Sequence, residues 1–568
     1  MSAPTGASSA DRLDSWKEIA AYLGREVRTV QGWEKLEALP VHRHQHGRQG
    51  SVYAFKTELD AWRDSRRESP EPAAVIVEPA PRSGLRVPIV ISGICIVAVI
   101  AGAVGWFSRR PVIVGDVPQS VVVLPFLDLS PQHDQDYFSD GLTEEIIDAL
   151  TRVPNLRVVA RTSAFAFKGK AADIRSIGQQ LNVAAVLEGS VRKSGDELRI
   201  TAQLARVSDG YHLWSRTYDR NLRDVFAVQR EISEAIAGQL RAGTVPRREQ
   251  TRDVEAWRLF QEGRYFFNQM ETPSSNWKAI ERYRQAIGRD PKFAQAYAGM
   301  ADAYAYLAEN FAVAPKEVMP KARQAAEEAL ALDDSSADAH VSLGLVKLDF
   351  DRDREGAQRE FVRAMQLNAG SAYARHWYAH SLEAQNRLPE AMVEMRKALE
   401  MDPLSVFIHW DVAGELISAG KLADAMRKVN EASELFPNVP VFPYMRVTVL
   451  MAQGDTAGAS RAIAALRAGH PELGEDPMFM AVFGLQAVLD GRPAEARAVL
   501  AKIEALRPHR YVDAFLALPL CAALKDRALT VRWIRRAAEE RSSMVVYLPV
   551  MKRWYGIDDA MLAEAGAS

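Results

Sequence analysis

Apolar and polar positions change period several times along the chain, and each change predicts a different element. Trp16, Ile19, Ala20 and Leu23 fall on one face of a first helix. Val27, Val30 and Trp33 fall on one face of a second, and Gly24 lies between them, where a left-handed backbone is cheap. The small residue Ala20, with glycine four later and Val30 six later again, suits two helices crossing closely at a tight turn. LPVHRHQHGRQGSVYAF then alternates, turns between Gly47 and Gly50 and alternates again, as a two-stranded wing does, and TELDAWRDSRR follows as a short helix. From Val87 to Ser108 the periodicity vanishes, because 22 consecutive residues carry no charge and are apolar on every face. As a helix they would run roughly 33 Å against a hydrocarbon core of about 30 Å, which predicts one transmembrane helix.

Beyond the span, SVVVLPF (120–126) predicts a buried strand, DYFSDGLTEEIIDALTRV an amphipathic helix, LRVVA a second strand and ADIRSIGQQLN a second helix. Three alternating segments follow, with turns at Ser194-Gly195 and Asp209-Gly210, and VFAVQREISEAIAGQL closes the unit as a helix. Two strand–helix units and a meander make an α/β domain with a mixed sheet. Glu144, Glu145 and Asp148 sit beside its apolar helical stripe at surface spacing, and Arg161, Lys168 and Lys170 in a loop, so both groups are expected on solvated faces.

The rest is repetitive. Helix-breaking ends recur at Pro291, Asp334, Ala369, Pro403, Pro437, Pro471 and Pro508, with 34-residue steps from Ala369 to Pro471, the tetratricopeptide (TPR) period. Upstream of these ends a small residue, a large one four later and a small one three after that recur as Ala279/Tyr283/Ala286, Ala357/Phe361/Ala364, Ala391/Met395/Ala398 and Ala425/Val429/Ala432. Gly263 and Gly344 occupy the matching first-helix position that Ala379 and Ala413 fill elsewhere. Residues 509–560 look like the terminal capping helices that a solenoid needs for solubility.

Composition adds limits. The 568 residues hold 71 Lys+Arg and 73 Asp+Glu, so the chain is not basic throughout. Residues 11–68 hold 11 basic and 10 acidic residues, a net of +1, while 25–48 hold five basic and three acidic. Cys95 and Cys521 stand too far apart in sequence to suggest a disulfide framework or a thiolate metal site. His42, His44 and His46 fit a wing edge better than a metal site. No phosphate loop, HExxH, GxSxG elbow, paired CxxC or kinase signature is present, so the sequence predicts no catalytic residue, no metal ligand, no cofactor and no enzyme.

Two stretches resemble known families. Residues 14–67, with the helix, turn and wing pattern above, resemble winged helix-turn-helix domains of the MerR/excisionase type, found at the front of some bacterial membrane regulators. The resemblance implies DNA binding, with Arg28, Thr29 and Gln31 toward base edges and Arg25, Arg43 and Arg48 toward phosphates. Gly32 departs from it by placing no side chain on the reading face. The strings VLPFLDLS, YFSDGLTEEI, RTSAFAFKGK, VLEGSVRKSGDELRITAQL and HLWSRTYDR make 118–242 similar to the TolB-type amino-terminal domain, which implies a binding or assembly module.

The expected fold class is therefore multidomain: a small winged helix-turn-helix (14–67), a Pro-rich linker (68–86), one transmembrane helix (87–108), an α/β domain with a mixed sheet (118–242), an all-α TPR solenoid of about seven repeats (253–508) and its caps (509–560). Arg375, His376, Trp377 and Tyr378 are its candidates for a protein-binding groove. The expected function is a membrane-anchored one-component transcriptional regulator that binds DNA in front and protein partners through its repeats. Pairing two weakly basic readers in a homodimer would be its switch. Arg82 and Arg86 before the span balance Arg109 and Arg110 after it, so orientation rests on DNA lying inside the cell. That places the chain in the inner membrane, with a cytoplasmic amino terminus and a periplasmic carboxy-terminal region. The alternative is a membrane-anchored TPR scaffold without DNA binding.

Overall fold

The computed structural model describes residues 11–25, 27, 30, 33–34, 39–43, 52–64, 119–131, 135–170, 172–195, 197–221, 224–246, 251–269 and 273–567. The chain divides into two compact units, Met1–Pro111 and Val112–Ser568.

In the first unit β1 (Arg12–Leu13) leads into α1 (Trp16–Leu23). Ser15 caps α1 by accepting from the Glu18 amide, and Glu18 accepts in turn from the Asp14 amide, so two otherwise orphaned donors near the helix start are satisfied. Gly24 ends the helix at φ 63°. Val27, Val30, Trp33 and Glu34 are helical again. β2 (His42–Arg43) and β3 (Val52–Phe55) pair antiparallel, and β1 joins the other edge of β3 as a third strand before α2 (Lys56–Asp64). Ile19, Val30, Ala54 and Leu59 are fully buried in the small core between these elements.

The second unit opens with β4 (Ser120–Val123), β5 (Leu127–Asp128), α3 (Asp136–Thr151), β6 (Arg157–Val158), α4 (Arg161–Phe165) and α5 (Ile174–Gln180). β7 (Ala185–Ser194), β8 (Glu197–Arg206), β9 (His212–Asn221) and α6 (Val225–Gln239) complete its sheet-bearing part. The sheet order is β6-β4-β7-β8-β9, with β4 parallel to both neighbours and the later pairs antiparallel. Val121, Val122 and Val123 are all fully buried, as a central parallel strand covered on both faces requires.

Helical hairpins follow. They are α7 (Val254–Gln269) with α8 (Pro273–Arg289), α9 (Ala294–Glu309) with α10 (Pro315–Leu332), and α11 (Ala337–Leu345) with α12 (Arg354–Leu367). Next come α13 (Ala372–Ala384) with α14 (Leu388–Met401), and α15 (Val406–Ser418) with α16 (Leu422–Leu435). α17 (Val441–Gln453) pairs with α18 (Thr456–Gly469), and α19 (Pro477–Leu489) with α20 (Pro493–Leu506). α21 (Leu518–Ala523), α22 (Arg527–Glu540), α23 (Leu548–Tyr555) and α24 (Asp559–Ala565) end the chain.

This is a TPR-like solenoid, and its repeat chemistry is local. Ser336, Ser371 and Ser405 each accept from the amide three residues on, starting α11, α13 and α15 at corresponding points. The small-large-small triplets, such as Ala279/Tyr283/Ala286 and Ala357/Phe361/Ala364, are buried between paired helices. A Cβ on Gly263 would lie 2.5 Å from the Tyr283 ring, and one on Gly344 2.5 Å from the Phe361 ring. Glycine is thus required where an aromatic ring lies across the first helix. Where the second helix offers Met395 or Val429 instead, the first carries Ala379 or Ala413, and both alanines are fully buried.

The expected fold class needs correction. The described residues are 68% helical, dominated by the solenoid, and no helix among them is long and apolar enough to cross a membrane. The apolar α19 shows why: its 13 residues span about 20 Å, short of a hydrocarbon core of about 30 Å. The proposed span 87–108 lies outside the described residues. The transmembrane helix, the inner-membrane placement and the cytoplasmic and periplasmic assignment of the two ends are therefore withdrawn.

Candidate functional site

Within the second unit the sheet-bearing part and the solenoid share a seam. Trp257 of α7 is buried in the core of the α/β part, with ring centroids 5.5 Å from Phe138 and 5.6 Å from Phe226. Ser163 of α4 donates from its hydroxyl to Asp402 and accepts there from the Leu404 amide at 2.8 Å. On the other side the terminal helices fold back over the repeats. The Trp554 indole donates to Ser418 at 2.9 Å, the Tyr547 hydroxyl to Asp349 at 3.2 Å, and Arg541 to the Phe350 carbonyl at 3.0 Å.

These two returns convert the inner side of the solenoid into a cavity of about 1160 Å³. Its wall is built from α3, α4 and α7, from the first helices of the hairpins (α9, α13, α15, α17) and from α23. A second depression of about 480 Å³, along α7 and α8, is lined by the mutually paired Arg258, Glu262 and Arg282 and is shallow.

One end of the large cavity is electrically satisfied. Glu144 is 3% exposed and is held by Arg161 (2.5 Å), Arg264 (2.7 Å) and the Asn268 amide (2.9 Å). Burial pushes its carboxyl up, but the two guanidiniums outweigh that and hold it below the usual carboxylate range. Glu145 accepts from Gln229 at 2.9 Å and from Gln261 at 3.1 Å. The solvated face expected for Glu144 and Glu145 is therefore wrong, because α7 covers that side of α3. Arg161 is likewise drawn to Glu144, and Lys168 to Asp140 at 2.7 Å.

The other end is crowded with acids. Asp302 accepts from Tyr373 at 3.1 Å, and its carboxyl is pushed up to about 7 by burial and by Asp338. Burial raises both Glu309 and Asp349; the Asp349 charge adds to the rise at Glu309, while the hydrogen bond from Glu309 opposes it at Asp349, so the pair keeps a proton. Burial raises Glu415 to about 9, with Glu383 adding to it. Beside them His376 Nε2 lies 2.7 Å and His380 Nε2 3.3 Å from Asp411 Oδ2, and the two imidazole nitrogens are 3.2 Å apart. Burial lowers His376. Burial would lower His380 too, but Asp411 and Glu383 overcome it and raise that ring well above its ordinary value. Burial raises Asp411, and the two imidazoles reverse this to hold it well below the usual range.

Of the four groove candidates, His376 and Trp377 line the cavity. Arg375 turns to Glu394 of α14 at 2.5 Å, and Tyr378 packs against the solenoid core. In the first unit Arg25 is exposed just after α1, and Arg43 pairs with Val52 in the sheet. Arg28, Thr29, Gln31 and Arg48 lie outside the described residues. The sequence reading passed over His380 and Asp411. The signal was the four-residue spacing of His376 and His380, together with the repeat itself, since Asp411 stands one 34-residue period after Trp377 (377 + 34).

The fold is a TPR-like helical solenoid preceded by an α/β part. No family model matches the chain. A Rhizobium meliloti protein named "Putative adenylate cyclase 3" is 39% identical over 233 residues, covering 40% of this chain and 40% of that protein. The transcriptional regulator HilA of Salmonella typhimurium is 24% identical over 311 residues, covering 53% of this chain and 55% of HilA. The chain thus spans about half the length of the curated relatives it matches. Among solved structures, the type IV pilus biogenesis factor PilW is 18% identical, with a TM-score of 0.33 over 38% of this chain and 94% of its own. Human IFIT1, solved as a dimer with PPP-AAAA, is 18% identical with a TM-score of 0.40, over 61% and 81%. The relative named as a cyclase overturns the expectation that the chain is no enzyme. Missing short motifs exclude only the chemistries those motifs serve.

Proposed function

We propose that the chain is a DNA-binding transcriptional regulator whose solenoid receives a protein or peptide partner. The observation that carries this reading is the cavity of about 1160 Å³ on the inner side of a TPR-like solenoid, in a chain whose separate first unit is a small helix-and-sheet body. Such a body, with a capped helix, a glycine break, further helical residues and an antiparallel strand pair, suits a winged helix-turn-helix. Arg28, Thr29 and Gln31 would approach base edges, and Arg25, Arg43 and Arg48 phosphates. Residues 118–242, from β4 to α6, would serve, as a TolB-like module, to close the solenoid over its ligand. Likeness to HilA supports the regulator output. That relatives with two differently named outputs each share only part of their length with this chain suits a common binding module joined to exchangeable outputs.

The test is a gel-shift titration of the purified full chain on genomic fragments recovered by pull-down. The expected result is binding that weakens steeply with salt and is weakened further by Arg28→Ala with Arg48→Ala. Binding that the double substitution leaves unchanged overturns the assignment. The net charge of +1 over residues 11–68 favours a second reading, a scaffold acting through protein partners alone. Absence of any enriched DNA, with partner capture by the solenoid retained, selects that reading. Adenylate cyclase activity in the same preparation would replace both with the output named for the Rhizobium meliloti relative.

A further inference from the structure

We infer that His376, His380 and Asp411 form a binding site for a zinc-class divalent metal ion on the wall of the inner cavity. The first argument is the spacing of donor atoms. His376 and His380 are four residues apart on α13, so both rings leave the same face of one helix. Asp411 comes from the neighbouring inner helix α15. The three donor atoms form a triangle with sides of 2.7, 3.2 and 3.3 Å. A tetrahedral ion with metal–nitrogen bonds of about 2.0–2.1 Å holds its ligands about 3.3 Å apart. Two sides of the triangle already match that length, and the third is set by a hydrogen bond that a metal would replace.

The second argument is that protons do not satisfy this triangle well. A proton bridges two atoms along a line, whereas three lone-pair atoms converge here on one point. If both imidazoles donated to Asp411 Oδ2, their hydrogens would crowd each other across 3.2 Å. A single cation at the centre serves all three.

The third argument is the outer shell. His380 Nδ1 lies 3.1 Å from Glu383 Oε2, the carboxylate–imidazole arrangement that fixes a ligating ring with its other nitrogen toward a metal. Glu415 Oε1 is buried without a hydrogen-bond partner on the same wall. Two neutral imidazoles and one carboxylate carry one negative charge, so a divalent ion leaves one positive charge among these acids. Imidazole donors select zinc-class ions over magnesium or calcium, which take oxygen ligands. Three protein ligands leave a fourth position, and all three residues line the cavity, so that position is available to water or to a carboxylate oxygen. The site does not depend on the DNA-binding reading.

The experiment is zinc uptake by the chelator-treated full chain, measured by calorimetry and elemental analysis. Equimolar uptake is expected, abolished by His376→Gln with His380→Gln and left intact by His340→Gln, whose ring pairs with Glu360 elsewhere in the solenoid. Glu383→Gln should weaken uptake about 10–100-fold, as loss of an outer-shell partner does. Failure of the wild-type chain to take up equimolar zinc overturns the site, as does uptake that survives the double substitution and is lost on substituting His42, His44 and His46. If the double variant does not fold, Asp411→Asn and Co²⁺ loading of the wild-type chain decide. The visible absorption of a four-coordinate ion, lost in Asp411→Asn, is expected. The pale spectrum of a six-coordinate surface ion overturns the proposal.

Discussion

The two ends of the inner cavity hold the same residue type in opposite electrical settings. At the seam end, Glu144 is buried against two arginines and an asparagine amide. At the far end, Asp302, Glu309, Glu383, Asp411 and Glu415 face the same space with two histidines for company. A buried carboxylate that is fully paired works as a fastener, because its hydrogen bonds specify one arrangement of α3, α4 and α7. Buried acids without matching cations pay a standing desolvation cost, which is the usual mark of a place kept for binding rather than for stability.

Substitution of Arg264 by alanine tests the fastener most severely. It leaves Glu144 buried with one guanidinium instead of two, and the expected loss is about 3 kcal/mol in urea unfolding, the lower edge of what breaking a buried pair costs, because Arg161 remains. A loss no larger than that of an exposed ion pair would mean that the seam is held by Trp257 and the Ser163–Asp402 contact instead.

The acid end should respond in the opposite direction. Asp302 is raised to about 7 by burial and Asp338, with Tyr373, Ser342 and Arg264 acting the other way. The folded state therefore holds this proton more tightly than the unfolded chain, in which an aspartate titrates near about 4. Its contribution to stability is complete below that value and is lost as pH rises through about 7. Asp302→Asn keeps an acceptor for Tyr373 and Ser342 and removes the titration. The variant should match the wild type below about pH 4 and exceed it at pH 8 by about 2 kcal/mol, less than the full shift implies because the cavity admits water. Thermal unfolding at the two pH values measures this, and a variant less stable at pH 8 would place Asp302 with the fasteners.

How much of this contrast is legible in the sequence depends on the distance between partners. The solenoid is legible because its rules are local: a cap, a small residue and a ring recur within about one repeat, and Gly263 and Gly344 betray the rings of Tyr283 and Phe361. The fastener is not legible, because Glu144 and Arg264 stand 120 residues apart (264 − 144), and the helix carrying Glu144 has the composition of a solvated face until α7 is laid on it. The closing of the cavity is hidden for the same reason, since Trp554 meets Ser418 only after the terminal helices turn back. The histidine pair was visible as spacing, yet its carboxylate partner emerges only when corresponding positions of successive repeats are compared.

The smallest effect concerns the groove candidates, which are adjacent in sequence and point to different places. A helix turns about 100° per residue, so four consecutive side chains cannot all share one face. Arg375 leaves the cavity to pair with Glu394, while His376 lines its wall. Arg375→Ala should therefore cost under about 1 kcal/mol, as a partly exposed ion pair does. It should leave zinc uptake and partner capture at wild-type levels, whereas Trp377→Ala, on the cavity wall, should weaken partner capture. A calorimetric titration of Arg375→Ala that shows weakened zinc binding would mean that the Arg375–Glu394 pair positions α13 for the histidines, and the paired and unpaired regions of this solenoid would then be mechanically one.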